Sequence, residues 1–223
     1  GYYFLTDSYE PSAVSHQPSA ISGTPTDITR YPFYQVHDRD TVNLIDRTGV
    51  SGGGRTFYGE QFNAGQKQTF SFTTPNAVEG QSCNVYIDLA ANAPTTSSFL
   101  ATVNNVSSKS VSVPALRDHY DFGREGTISM TCTQAADKQQ IQLQFNSSNS
   151  AALGWLNYIE ITTLSSLVMS GDYMPVRTTS NYKSSTPVRF HLANAPAGTQ
   201  IWDVTDLGGI YPVEVTYANG EAI

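Results

Sequence analysis

The sequence is poor in charge and in cysteine, and it has no long apolar run. Only 14% of its 223 residues are Asp, Glu, Lys or Arg, against roughly 25% in ordinary soluble domains. Ser, Thr, Asn and Gln supply the polar surface instead, which favours an extracytoplasmic protein over a cytosolic enzyme. No stretch approaches the ~18 consecutive apolar residues of a membrane span. The strand-like start, Gly1 to Leu5, shows no signal peptide and predicts a piece of a longer protein.

Basic residues are scarce as well. There are 12 Lys and Arg against 19 Asp and Glu, so the formal net charge is −7. A nucleic-acid partner needs a basic face for its phosphates, and attraction to an anionic membrane surface needs a polybasic segment. We therefore expect neither nucleic acid nor a membrane contact of this kind.

Helical periodicity is missing, and period-two alternation takes its place. The clearest case is Ile141-Gln142-Leu143-Gln144-Phe145, in which the apolar residues share one face. Similar short runs recur along the chain, separated by clusters of Gly, Pro and Asn. This pattern predicts an all-β protein built as an antiparallel β-sandwich of the jelly-roll, galactose-binding-like type.

The chain divides into three zones. Residues 1–29 combine a leading strand with a Pro/Ser/Thr-rich linker, and residues 30–165 carry the regular alternation of the sandwich. Residues 166–223 predict a small additional β segment, with a strand near 166–176 and hairpin-like strands toward the C-terminus. We expect this extension to lead toward a further domain.

The two cysteines lie in strand-like runs, in phase with apolar neighbours. Cys83 alternates with Val85 and Ile87, and Cys132 alternates with Met130. Alternation therefore predicts that both thiols are buried. They form a disulfide if their strands lie close together, and are otherwise two inert buried thiols.

No catalytic constellation is recognisable. The histidines show none of the spacings used by zinc sites, and there is no Gly-x-Ser-x-Gly elbow. Asp88 and Glu160 could form a carboxylate pair of the kind that glycosidases use, but only if they lie close together. The simpler interpretation is that both are solvent-facing residues of strands. The sequence therefore predicts no catalytic and no cofactor-binding residue.

Two kinds of binding site have candidate residues. Carboxylates that could hold a structural Ca²⁺ cluster in two places, at Asp38, Asp40, Asp118 and Asp121. A sugar site would use exposed aromatic rings, although most such rings pack in the core. The candidates are Phe57, Tyr58, Tyr120 and Trp155.

Two further groups of residues favour a role in local structure over a role in ligand binding. Arg55 and Glu60 flank an aromatic pair and could form an ion pair that orders the turn after the Gly-rich run 52–54. Trp202 stands beside two aspartates, which readily cap turns through the backbone. We list Arg55, Glu60 and Trp202 with the aromatics as candidate ligand or interface residues.

Three segments, in order, resemble one known family. Residues 51–62 are similar to a Gly-Arg-x-Trp-aromatic-Gly-Glu-x-Phe signature. Residues 155–161 are similar to Leu-Asp-Tyr-Ile-Glu-Leu, and residues 201–206 contain Trp-Asp-Val-Thr-Asp. These signatures occur upstream of the peptidase domain in the PorU family of type IX secretion sortases from Bacteroidetes. Phe57 stands where Trp is usual, and Asn157 where Asp is usual.

The resemblance implies that the parent protein is a gingipain-like cysteine peptidase of the C25 type, at the cell surface and associated with the outer membrane. Such sortases remove C-terminal sorting signals and attach cargo to lipopolysaccharide. Their Cys–His pair lies in a later domain, beyond Ile223. The implied role is a non-catalytic accessory domain whose partner is the downstream peptidase domain, with other type IX components or surface glycan as further partners.

A second resemblance leaves another function open. Residues 155–161 are also similar to the last strand of galactose-binding-like jelly rolls. That similarity implies a carbohydrate-binding module of a cell-surface protein. An exposed aromatic platform would favour this alternative, whereas an apolar patch near the C-terminus would favour docking to another domain.

Overall fold

A computed structural model describes residues 24–44, 56–118, 121–177, 188–206 and 209–223. Several predicted features lie outside these ranges, namely the leading strand with most of its linker, the Gly-rich run, and the candidates Arg55 and Tyr120. Within the described residues, no helix is long and apolar enough to cross a bilayer.

Strands account for the regular structure of the described residues. Their bounds are β1 Thr26–Ile28, β2 Arg30–Asp38, β3 Gln61–Asn63, β4 Lys67–Thr73, β5 Ser82–Asn92, β6 Ser97–Val103, β7 Ser107–Val113, β8 Arg124–Thr133, β9 Lys138–Asn146, β10 Leu153–Ser166, β11 Val188–Phe190, β12 Leu192–Ala193, β13 Trp202–Asp206, β14 Gly209–Pro212, β15 Tyr217–Ala218 and β16 Glu221–Ala222.

Two antiparallel sheets form the sandwich. One has the strand order β2-β10-β5-β8, with β3 paired to the start of β10, and the other has the order β4-β9-β6-β7. The long strand β10 pairs with β2 on one side and β5 on the other. The predicted all-β, antiparallel sandwich is confirmed.

The inward faces of the two sheets make one apolar core. On β9, Ile141, Leu143 and Phe145 are fully buried, while the intervening glutamines are partly exposed. This is the alternation that the sequence predicts, and burial of such side chains contributes about 1.5–3 kcal/mol each. Gly154 lets the rings of Phe99 and Phe145 approach β10 closely, since a Cβ there would lie 2.6 Å from Phe99 Cζ.

Two buried glutamines form hydrogen bonds with the backbone of the segments that connect the strands. Gln134 donates from Nε2 to the carbonyls of Val78 and Leu164, and its Oε1 accepts from the Leu164 N–H. Gln139 contacts the backbone of residues 135 and 136 in a similar way. These amides satisfy backbone groups that the ladders leave unpaired.

The C-terminal strands form small separate sheets. Strand β1 pairs with β11 in parallel, β12-β16-β15 form a three-stranded sheet, and β13 with β14 forms a hairpin. A second cluster, which includes Tyr31, Leu167 and Leu192, packs under them. The prediction of a strand near 166–176 is wrong. Strand β10 ends at Ser166 and only an isolated bridge at Val168 follows, because Leu167 already packs into this second cluster instead of continuing the sheet.

Candidate functional site

Two of the aromatic candidates are buried. Tyr58 and Trp155 are 5% and 2% exposed and pack with Leu44 and Ala90 in a small cluster on the outer side of the five-stranded sheet. Neither ring can therefore stack on a sugar, and this part of the expectation is wrong. The physical reason is that the loop carrying Tyr58 folds over Trp155. Phe57, the neighbour of Tyr58, is exposed.

Glu60 has partners that the sequence did not indicate. Its Oε1 lies 3.0 Å from His37 Nε2 and 3.2 Å from Arg39 Nη1, both contributed by β2 and the residue after it. His37 also packs its ring against Phe70, with ring centroids 5.0 Å apart. The carboxylate therefore anchors the loop before β3 to β2. The pairing expected with Arg55 involves a residue outside the described ranges.

The carboxylates considered for Ca²⁺ do not converge on one point. Asp121 accepts a hydrogen bond from the Arg117 N–H and lies 3.8 Å from the Arg124 guanidinium. Asp38 is the last residue of β2, and Asp40 follows in the loop after it. Burial, with Asp40 beside it, raises the pKa of Asp38. Across the described ranges, no group of three or more His, Cys, Asp or Glu could hold a metal ion.

The two cysteines face each other directly. They are opposite residues on the neighbouring strands β5 and β8, with 2.9 Å between the sulfurs of what are two free thiols. Both are buried, as alternation predicts. The hydrogen bond from Cys132 to Cys83, followed by burial, raises the pKa of Cys132, so its thiol keeps the proton at neutral pH. The described thiols are thus paired with each other and not with an imidazole.

The outer face of the five-stranded sheet carries an array of tyrosines and carboxylates. At one level across the sheet, Asp38, Tyr158 and Asp88 are cross-strand neighbours. At the next level Glu160 stands beside Tyr86. We call this array the tyrosine face and define it as Tyr34, Asp38, Tyr86, Asp88, Tyr158 and Glu160.

Diagonal contacts connect the tyrosine face. The rings of Tyr86 and Tyr158 stack at a centroid distance of 5.9 Å and an interplanar angle of 28°. Tyr34 Oη donates to Glu160 Oε1 at 2.7 Å. Diagonal positions on neighbouring strands lie within reach of aromatic side chains, so the strand register alone creates both contacts.

A β-bulge adds an amide to this face. The register of β10 against β5 shifts between Leu156 and Tyr158, and the extra residue is Asn157. Its Nδ2 donates to Asp88 Oδ1 at 3.1 Å. The Asn157 amide therefore supplies a hydrogen bond to Asp88 where a second carboxylate would repel it.

The surroundings of the tyrosine face raise the pKa values of Tyr34, Tyr158 and Asp88. Burial raises the pKa of Tyr158 to about 12, with Tyr86, Asp88 and Glu160 adding to the shift. Burial also raises the pKa of Asp88, while the hydrogen bond from Asn157 opposes the rise. The hydrogen bond to Glu160 raises the pKa of Tyr34. Among the described residues, the carboxylates of the face form no ion pair with Lys or Arg, while the Arg177 guanidinium lies over the Tyr34 ring.

Sequence reasoning missed the tyrosines of this face, although a signal was present. Tyr86 is in phase with Asp88, and Tyr158 with Glu160, which places each pair on one side of its strand. The two carboxylates were expected to be solvent-facing strand residues. Both lie on the outer side of their strands and are partly exposed, but alternation could not show that they share one sheet face.

A second exposed surface lies on the hairpin β13–β14 and the residues after it. Its apolar side chains are 43% exposed at Trp202, 58% at Val204 and 56% at Ile210. Val213 and Tyr217, which follow the hairpin in the chain, are 45% and 42% exposed. We call these five residues the hairpin patch.

The structure is similar to part of a larger protein of solved structure. Dimeric latent PorU from Porphyromonas gingivalis matches with a TM-score of 0.73 and 18% sequence identity, over 90% of this chain and 19% of that one. At this identity the likeness shows a shared fold. This chain spans about a fifth of the length of that relative. No protein-family model and no curated protein matches the sequence.

Carbohydrate-binding modules are more distant matches. The CBM35 of Abf62 from Cellvibrio japonicus has a TM-score of 0.39 and 13% identity, over 60% of this chain and 96% of the module. A CBM36 module in complex with calcium and xylotriose has a TM-score of 0.34 and 16% identity, over 60% of this chain and 99% of the module. These similarities are too loose to argue for a ligand.

Proposed function

We propose that this chain is a non-catalytic accessory β-sandwich of a PorU-like C25 cysteine peptidase at the cell surface. Its role is to support and position the downstream peptidase domain. Three ordered sequence motifs and the shared fold support the family. The hairpin patch supports the role and is the observation that carries it.

The hairpin that carries the patch has no further strand beside it among the described residues. A lone two-stranded hairpin is marginal in water, and β13 pairs only with β14 among the described strands. It nevertheless exposes Trp202, Val204 and Ile210 together. Contiguous exposed apolar side chains of this kind mark docking sites. The patch begins in residues 201–206, the segment that the resemblance places close to the junction with the peptidase domain.

The test compares this chain with its longer parent. Hydrogen–deuterium exchange of residues 202–217 should be slower in the parent, because a docked domain covers the hairpin. In the parent, Trp202→Ser with Val204→Ser should lower peptidase activity or its thermal stability. The matched control is Val106→Ser, an exposed valine at the turn between β6 and β7.

Three results would count against the proposal. These are equal exchange of the hairpin in both chains, an equal effect of the control variant, and cleavage of a sorting-signal peptide by this chain alone. The last of these would also show that catalytic residues lie within it.

A further inference from the structure

The tyrosine face lies on the outer side of its sheet. The apolar core between the two sheets lies on the opposite side, and Tyr86, Asp88, Tyr158 and Glu160 on this side are partly exposed. Tyr34 and Val36 at its edge are 36% and 51% exposed. The next rows of β8 carry exposed polar side chains, which leave the face accessible from the side of that strand.

Its carboxylates lack cationic partners. Among the described residues, Asp38, Asp88 and Glu160 form no ion pair with Lys or Arg, whereas Glu60 and Asp121 do. Asp88 accepts only from the Asn157 amide and Glu160 only from the Tyr34 hydroxyl within this part of the chain. The face adds to the chain's net charge of −7, so its potential attracts cations.

One arginine of this chain already contacts the edge of the tyrosine face. The Arg177 guanidinium carbon lies 5.2 Å from the Tyr34 ring centroid, a cation–π distance. Tyr34 is the same residue whose hydroxyl binds Glu160. A guanidinium is therefore already placed on the aromatic edge, while Asp88 and Glu160 form no ion pair with Lys or Arg among the described residues.

We propose that the tyrosine face binds an extended segment of a partner protein that carries alternating Arg or Lys side chains. The geometry suits such a segment. Asp38 and Asp88 flank Tyr158 from strands that are each ~4.8 Å away, and Glu160 lies one side-chain repeat of ~6.8 Å further along. Side chains two residues apart in an extended peptide have that same repeat.

The arrangement of the rings disfavours a sugar as the occupant. Sugars stack on open ring faces, but Tyr86 and Tyr158 turn one face toward each other. Side chains of strands stand roughly perpendicular to the sheet, so ring edges and hydroxyls point outward. Carboxylates and phenol edges suit a guanidinium or ammonium group, whose hydrogen-bond donors they accept.

The experiment titrates the chain with short capped peptides and follows it by NMR. The probes are an Arg-Thr-Arg-Thr-Arg peptide, its Glu-Thr-Glu-Thr-Glu counterpart and the neutral sugar xylotriose. We expect the arginine peptide alone to shift the resonances of Tyr86, Asp88, Tyr158 and Glu160. Its affinity should fall as salt is added, because exposed charge pairs are screened.

Neutral isosteres then test the face directly. Asp88→Asn with Glu160→Gln keeps the acceptors for Asn157 and Tyr34 and removes only the charges. This variant should weaken the peptide by about tenfold, as expected for losing two exposed ion pairs. The control, Glu79→Gln with Asp172→Asn, removes the same charge from exposed loops and should leave the affinity nearly unchanged.

Four results overturn the proposal. They are equal weakening by the control variant, shifts that map away from the tyrosine face, no binding of the arginine peptide, and binding of xylotriose alone. The last would assign the face to glycan. The hairpin patch is untouched in these variants, so none of these outcomes bears on the proposed docking role.

Discussion

His191 Nε2 lies 3.0 Å from Asp27 Oδ1, which joins the segment between β11 and β12 to strand β1. The other ring nitrogen, Nδ1, lies 3.2 Å from Glu221 Oε2 on β16. One imidazole thus links strands β1 and β16 to the segment between β11 and β12 through two carboxylates. The hydrogen bond to Asp27, followed by that to Glu221, raises the pKa of His191 above its ordinary value of 6.5.

The C-terminal strands should therefore weaken as pH rises. Because the folded-state pKa of His191 is raised, its contribution is fully present below pH 6.5 and is lost as pH rises through the folded-state pKa. The melting temperature of the chain should exceed that of His191→Gln at pH 5.5 to 6, and the difference should shrink toward pH 9. NMR titration of the ring should give a pKa above 6.5 that falls in Asp27→Asn. An unchanged pKa in Asp27→Asn would contradict this account, and Asp172→Asn serves as the control carboxylate.

Gly154→Ala should destabilise the sandwich. Its Cβ would lie 2.6 Å from Phe99 Cζ and 3.0 Å from Phe145 Cδ2, and two packed rings cannot move aside without disturbing the core. Overpacking of this kind costs about 1–3 kcal/mol, measured as the free energy of unfolding in urea. Gly171→Ala is the comparison, since its Cβ meets open space and only the positive φ of 71° is strained. Equal losses in both variants would show that the rings adjust freely.

Gln134→Leu should be similarly costly. The side chain is 2% exposed, and its Oε1 accepts a hydrogen bond from the Leu164 N–H. The carbonyls of Val78 and Leu164, to which its Nε2 donates, each accept a backbone hydrogen bond as well. Leaving the Leu164 N–H without its partner costs about 1–3 kcal/mol. Chemical denaturation should show this loss, whereas Gln140→Leu, an exposed neighbour on β9, should change stability by under about 0.5 kcal/mol. A Gln134→Leu variant as stable as the parent chain would mean that the connections can rearrange.

Cys83 and Cys132 should form a disulfide when the chain refolds under oxidising conditions. The thiols are opposite each other on neighbouring strands, so the bond would link two strands of one sheet and not the two sheets. Glutathione disulfide would accept the two electrons, and mass spectrometry should show a loss of two hydrogens. Closing a loop of 49 residues stabilises by roughly 4 kcal/mol at most. Refolded chains that keep two free thiols, or carry glutathione adducts, would argue against the bond, and Cys83→Ser is the control.

Much of the sandwich follows from alternation, as particular residues show. Ile141, Leu143 and Phe145 are buried because period two places them on one side of β9, and the same argument buries Cys83. Alternation does not predict which strands pair with each other. The sequence does not show that β5 lies beside both β10 and β8, and therefore does not show that Cys83 faces Cys132.

The candidate sites were predicted less well, for a related reason. Tyr58 and Trp155 were candidates for an exposed platform, but the loop over β10 buries both. Glu60 was assigned a neighbour in sequence, whereas its described partners, His37 and Arg39, come from β2. Both outcomes depend on which segments of the chain meet in space, and local pattern carries no information on that.

The sequence by itself determined the class of protein: few charges, net negative, and strands with one apolar face that must pack against another sheet to leave water. Tertiary structure decided which side chains became neighbours. Tyr86 meets Tyr158, and Tyr34 meets Glu160, only because register aligns strands that are far apart in the chain. Alternation states which side of a strand a residue occupies, whereas its cross-strand partner depends on how the two sheets close around their common core.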